Sequence, residues 1–122
     1  MTTWLCNNCN TVAHFNEYKV EDAAYDLTAY GREAHTANLF NSGDTLYVLS
    51  QDRRKRIVVE EYIYTHKVES GERGFDAFVM CGTFIRAETL PRHSAQDHPV
   101  YRYFFNTNGH LCQWSAVRFD PK

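Results

Sequence analysis

Two long runs of β-branched and aromatic residues, joined by a short cationic stretch, constrain this chain more than any other feature. Gly43-Asp44 reads as a turn, Thr45–Ser50 (TLYVLS) as a first run, and Gln51–Arg56 as a polar, basic tip. Ile57–Val68 (IVVEEYIYTHKV) is the second run. Branched and planar side chains pack well across a pleated surface. The pattern therefore predicts a long β-hairpin over Gly43–Glu69 with its tip at Arg53–Arg56.

The rest of the chain reads around that hairpin. Phe75–Glu88 (FDAFVMCGTFIRAE) predicts a strand, and Gly82 within it predicts a bulge or a close backbone approach. Leu90–Pro99 reads as a loop bracketed by prolines. Val100–Asn106 reads as a strand with Tyr101, Tyr103 and Phe105 on one face. Asn108-Gly109 is a hairpin turn leading into a last strand within His110–Phe119. Upstream, Trp4-Leu5 opens a short strand. Glu17–Gly31 is a helix candidate, because Val20, Ala23, Ala24, Leu27 and Tyr30 fall at helical spacing. Asn16 would cap that helix and Gly31 would stop it.

These elements imply a mostly β (α+β) fold. The expectation is one domain over residues 1–122, a small antiparallel five- to six-stranded barrel with one N-terminal helix. Several strands are apolar on both faces, and closing the sheet would hide both faces and edges.

Composition narrows the class. Aromatic residues make up 15% of the 122, enough for a ring-rich core. No apolar run approaches the roughly 20 residues that span a bilayer, so no membrane role is expected. The N-terminus lacks a basic head followed by an apolar stretch, which implies a cytoplasmic protein with reduced cysteines. The net charge of −2 is uneven. Residues 1–50 carry 2 basic and 6 acidic side chains (−4), and residues 51–122 carry 11 and 9 (+2). That balance argues against indiscriminate nucleic-acid binding but leaves room for a local basic edge.

Four groups of residues have chemical potential. Cys6-x-x-Cys9 has the spacing of half a zinc site. Cys81, Cys112 or His14 would have to complete it singly, and free thiols or a redox pair are the other readings. Arg53, Arg54, Lys55 and Arg56 form a cationic tip suited to phosphates or simply to solvent. The rings of Trp4, Tyr47, Tyr62, Tyr64, Tyr101, Tyr103 and Trp114 could sandwich a flat ligand, with Trp4, Tyr47, Tyr64 and Trp114 as the leading candidates, against the plainer reading that most are core. His93 to His98 sets two imidazoles and the Asp97 carboxylate close together, but at no catalytic spacing. No phosphate-binding glycine loop, nucleophile elbow or carboxylate pair is present. No catalytic residue is assigned.

Trp4 near the N-terminus, Gly43-Asp44 before an aromatic strand, the hairpin, and Phe78–Ile85 with Gly82 together resemble the PUA-like superfamily, including its EVE-like readers of modified bases. The resemblance spans Trp4–Phe119 as a pattern. It implies a β-barrel whose aromatic pocket holds a modified base or whose face grips RNA. Trp4, Tyr47 and Trp114 would line that pocket, and Arg53–Arg56 would contact the backbone. The Cys6-Cys9 pair and the acidic helix expected over Glu17–Gly31 depart from the pattern. The expected function is a non-catalytic DNA- or RNA-binding module. The alternative is a protein that binds a nucleic-acid enzyme through its acidic N-terminal half.

Overall fold

The computed structural model describes residues 1–7, 21–29, 38–69, 76–111 and 116–119. Six strands form one sheet: β1 (Thr3–Asn7), β2 (Ala23–Ala29), β3 (Thr45–Gln51), β4 (Ile57–Glu69), β5 (Asp76–Leu90) and β6 (Ala116–Phe119). Their order across the sheet is β2-β5-β4-β3-β1-β6. The fold is mostly β, as expected.

The hairpin is the spine. β3 pairs antiparallel with β4 from Thr45↔Ile63 to Gln51↔Ile57, and β4 continues against β5 along nearly its whole length. The tip is closed by Asp52, whose carboxylate accepts the Arg54 and Arg56 backbone N–H groups at 2.9 Å each. Lys55 takes the left-handed conformation there (φ 59°).

The β4–β5 register slips twice. Glu61 faces Arg86 and Tyr62 faces Phe84, so Ile85 is skipped on β5. Tyr64 faces Gly82 and His66 faces Cys81, so Thr65 is skipped on β4. Gly82 serves the close approach expected of it: a Cβ there would lie 2.6 Å from the Ile63 carbonyl oxygen.

Side chains alternate across a strand, so the sheet has two faces. The first carries Trp4, Cys6, Leu46, Val48, Tyr62, Tyr64, Phe78 and Met80, with Ala24, Tyr25 and Phe40 packed on them. The second carries Leu5, Leu49, Ile57 and Val59 beneath Ala95, Tyr101 and Phe104.

Five expectations are corrected. The sheet is not closed into a barrel: among the described residues β2 and β6 stand at its two margins and pair only with β5 and β1. The pairing is not wholly antiparallel, since β1 runs parallel to β3 from Thr3↔Thr45 to Asn7↔Leu49. The helix expected over Glu17–Gly31 is contradicted at Ala23–Ala29, which is β2; residues 17–20 and 30–31 lie outside the described residues. Helix propensity in that segment yields to the backbone partners that β5 offers from Asp76 to Cys81.

The loop Leu90–Pro99 contains a helix, α1 (Arg92–Asp97). Pro91 stands just before its first turn and Pro99 just after its end, both positions that a helix tolerates. The strand expected at Val100–Asn106 is instead a 3-10 helix, Tyr101–Phe104. With three residues per turn, Tyr101 and Phe104 share a face, and both are buried on the second face of the sheet. The Asn108-Gly109 turn forms as expected, with Gly109 at φ 79° and a Phe105↔Leu111 bridge beneath it.

Candidate functional site

One row of side chains crosses the first face. Trp4 pairs with Leu46, Leu46 with Tyr62, and Tyr62 with Phe84, over four neighbouring strands. At about 4.8 Å per strand the row spans roughly 14 Å. Its exposure runs from 2% at Trp4, 0% at Leu46 and 7% at Tyr62 to 54% at Phe84. The row is therefore locked at one end and open at the other.

The locked end is built on Asp44. Its carboxylate accepts hydrogen bonds from the Thr2 backbone N–H (3.1 Å), the Trp4 indole Nε1–H (3.0 Å) and the Asn41 backbone N–H (2.9 Å). Burial opposes ionisation of this group, but those three donors outweigh it and hold the carboxyl below its ordinary range. Gly43, at φ 98°, makes the turn that aims it. Trp4 is stacked on Phe40 (4.2 Å, 22°), and Phe40 in turn meets Tyr64 at 5.5 Å. The Arg118 guanidinium lies 5.8 Å from the Trp4 ring.

At the open end, Phe84 stands edge-on to Tyr62 at 5.6 Å. The Tyr62 hydroxyl donates to Glu60 Oε2. Burial and then the Glu60 carboxylate push the Tyr62 phenol well above its ordinary pKa, so it is a neutral donor at physiological pH. Glu60 is half-buried and faces Val48 and Ala87 across the strands. Ile85, next to Phe84 and skipped by the register, is 48% exposed. Thr83 through Ala87 are all exposed, on the part of β5 beyond its pairing with β2 at Asp76–Cys81.

The sequence candidates separate on this frame. Trp4 and Tyr64 come together through Phe40, deep in the first face. Tyr47 belongs to the second face, 6.0 Å from Tyr101. Trp114, Cys9 and Cys112 lie outside the described residues. Cys6 is fully buried in the first-face core, and burial pushes its thiol far above the usual range. A metal needs the thiolate, which that setting disfavours. Burial, and then the Asp22 charge, raises the Cys81 thiol as well. Among the described residues, no three His, Cys, Asp or Glu side chains converge on one point.

Arg53, Arg54 and Lys55 are exposed at the tip, while Arg56 is tied to Asp52 by a 2.8 Å ion pair. His98 accepts the Val100 and Tyr101 backbone N–H groups on Nδ1 (3.1 and 3.2 Å) and stacks on Tyr101 at 3.9 Å, a structural task. Sequence reasoning missed Glu60 and Phe84. The Glu60-x-Tyr62 spacing places both on one strand face and is the signal that was available.

No protein-family model matches this chain, and no characterised protein matches its sequence. Fold and geometry define a mostly β protein with a cationic hairpin tip and an aromatic row open at one end.

Proposed function

We propose that the chain is a non-catalytic nucleic-acid-binding module, a cytoplasmic reader in the manner of the PUA-like domains. An unpaired or flipped base, modified or not, stacks on Phe84 with Tyr62 at its edge. Trp4 and Tyr64, at the locked end, keep this face rigid, and Arg53, Arg54 and Lys55 take phosphates. The observation that carries this reading is the 54% exposure of Phe84 at the end of an otherwise buried row. The same strand that bears Tyr62 runs back to the tip; six residues from Arg56 to Tyr62 cover about 20 Å. A single strand several nucleotides long reaches both.

Stacking contributes roughly 1–3 kcal/mol per base, so one ring and three cations give a weak, salt-sensitive complex. Fluorescence anisotropy with a labelled single-stranded heptanucleotide tests it. Wild type should bind saturably at low salt. The combined Arg53→Ala, Arg54→Ala, Lys55→Ala variant should lower the slope of log K against log[salt] by about 2, from about 0.7 per lost phosphate contact. Absence of saturable binding by wild type overturns the reading. The rival is capture of a protein through the acidic N-terminal half; of its acidic residues, Glu21, Asp22, Asp26 and Asp44 are among the described residues, while Glu17 and Glu33 lie outside them.

A further inference from the structure

We infer that the open end of the first face selects guanine, with Glu60 as the residue that sets the preference. The inference rests on the base-binding reading above and adds an identity to the base.

Glu60 and Tyr62 point to the same face of β4, two residues apart. Phe84 is directly opposite Tyr62, and Ala87 is opposite Glu60, so Phe84 and Glu60 are diagonal neighbours across β4 and β5. Diagonal neighbours stand about 7–8 Å apart, roughly the breadth of one base. A ring lying on Phe84 thus has its hydrogen-bonding edge toward the Glu60–Tyr62 pair. Val48 and Ala87, both uncharged, are the residues opposite Glu60 on the two neighbouring strands.

The pair presents acceptors. A carboxylate has about four lone-pair sites and no donor. Tyr62 fills one of those sites on Glu60 Oε2 and spends its only O–H in doing so. Among the described residues, Oε1 has no hydrogen-bond partner and no cation pairs with Glu60. What remains is a row of three acceptors: Oε1, the second lone pair of Oε2, and the Tyr62 oxygen.

Of the common bases, guanine alone carries two adjacent donors, N1–H and N2–H2, on its Watson–Crick edge. Adenine and cytosine set a ring-nitrogen acceptor beside their single amino group. Uracil and thymine flank N3–H with two carbonyls. Both patterns turn a lone pair toward the carboxylate, and that mismatch is where discrimination arises. The charges also divide the work: the cationic tip meets phosphates, and the anion meets the base edge.

The test uses full-length protein and heptamers of uridine (RNA arm) or thymidine (DNA arm) with one central guanine, adenine, cytosine or hypoxanthine, read by anisotropy at fixed low salt. The guanine strand should bind about tenfold tighter than the adenine, cytosine and unsubstituted strands. Hypoxanthine keeps N1–H but lacks the amino group and should fall between. A guanine preference in either arm supports the assignment and names the sugar. Glu60→Gln, which still accepts from Tyr62, should bring guanine down to the level of the others while melting within a few degrees of wild type. Equal binding of all strands by wild type overturns the guanine assignment and leaves base binding standing, as does a preference that survives Glu60→Gln. Wild type that binds none of the strands removes the parent reading as well. The guanine-to-hypoxanthine ratio needs no variant and holds even if Glu60→Gln fails to fold.

Discussion

The same chemical pair occurs on both faces of this sheet, with opposite surroundings. On the second face the Tyr101 hydroxyl donates to Glu88 Oε2 at 3.1 Å. Tyr101 is 3% exposed, lies flat under His98 and is met edge-on by Tyr47. On the first face the Tyr62 hydroxyl donates to Glu60, and the neighbouring ring, Phe84, is more than half exposed. Burial and the adjacent carboxylate raise both phenols, that of Tyr101 to about 12, so titration does not distinguish the pairs. The cover does. α1 and the 3-10 helix seal the second pair, whereas the first pair borders an exposed ring. A hydrogen-bonded Tyr–Glu couple is thus a fastening in one place and a candidate binding edge in another, and packing decides which.

The largest test of that contrast concerns what holds the first face rigid. Asp44→Ala strands three buried or part-buried donors and should cost about 3 kcal/mol, seen as a lower urea midpoint. Because the folded-state pKa of Asp44 is depressed, its contribution is complete above the unfolded value of about 4 and is lost as pH falls through the lower folded value. Acid titration of stability should therefore be shallower in Asp44→Asn than in wild type. An equally steep acid limb in that variant would move the acid sensitivity elsewhere.

A smaller effect is expected at the open end. Phe84→Ala should weaken single-strand binding by about 2 kcal/mol while changing stability by less than about 1 kcal/mol, since the ring is largely solvated. A loss of stability that matches the loss of binding would make Phe84 a core residue and erase the contrast. Smallest is the pair of hydroxyl deletions. Tyr101→Phe should cost about 1 kcal/mol of stability and leave binding unchanged; Tyr62→Phe should lower binding by a comparable amount. Equal effects on binding would show that the two pairs do the same job.

The parts of this fold legible in the sequence are those fixed locally. The hairpin followed from the run of branched and aromatic residues on either side of a polar tip. Gly82 and Asn108-Gly109 followed from conformations or clearances that favour glycine. What the chain hides is set by partners far away in sequence. β1 runs parallel to β3 across a 37-residue connection, from the end of β1 at Asn7 to the start of β3 at Thr45. β2 is a strand because β5 offers it an edge, although Ala-rich spacing suits a helix. Tyr101-Arg102-Tyr103-Phe104 has aromatic alternation yet winds as a 3-10 helix to bury positions three apart.

The candidate site divides in the same way. The cationic tip was readable from Arg53–Arg56. The rings grouped as candidates do not share one face: Trp4 and Tyr64 lie on the first and Tyr47 on the second, because face assignment depends on register. Phe84 was missed because it lies in Thr83–Ala87, an exposed stretch of β5 beyond its pairing with β2 at Asp76–Cys81, and no local spacing encodes where that pairing ends.

Side-chain NMR of the aromatic rings during titration with a single-stranded oligonucleotide compares the two faces in one experiment. The account predicts that the Phe84 and Tyr62 ring signals shift together and saturate while those of Tyr101 and His98 stay in place. Shifts confined to Tyr101 and His98, or no shift at any ring at saturating strand, would contradict it.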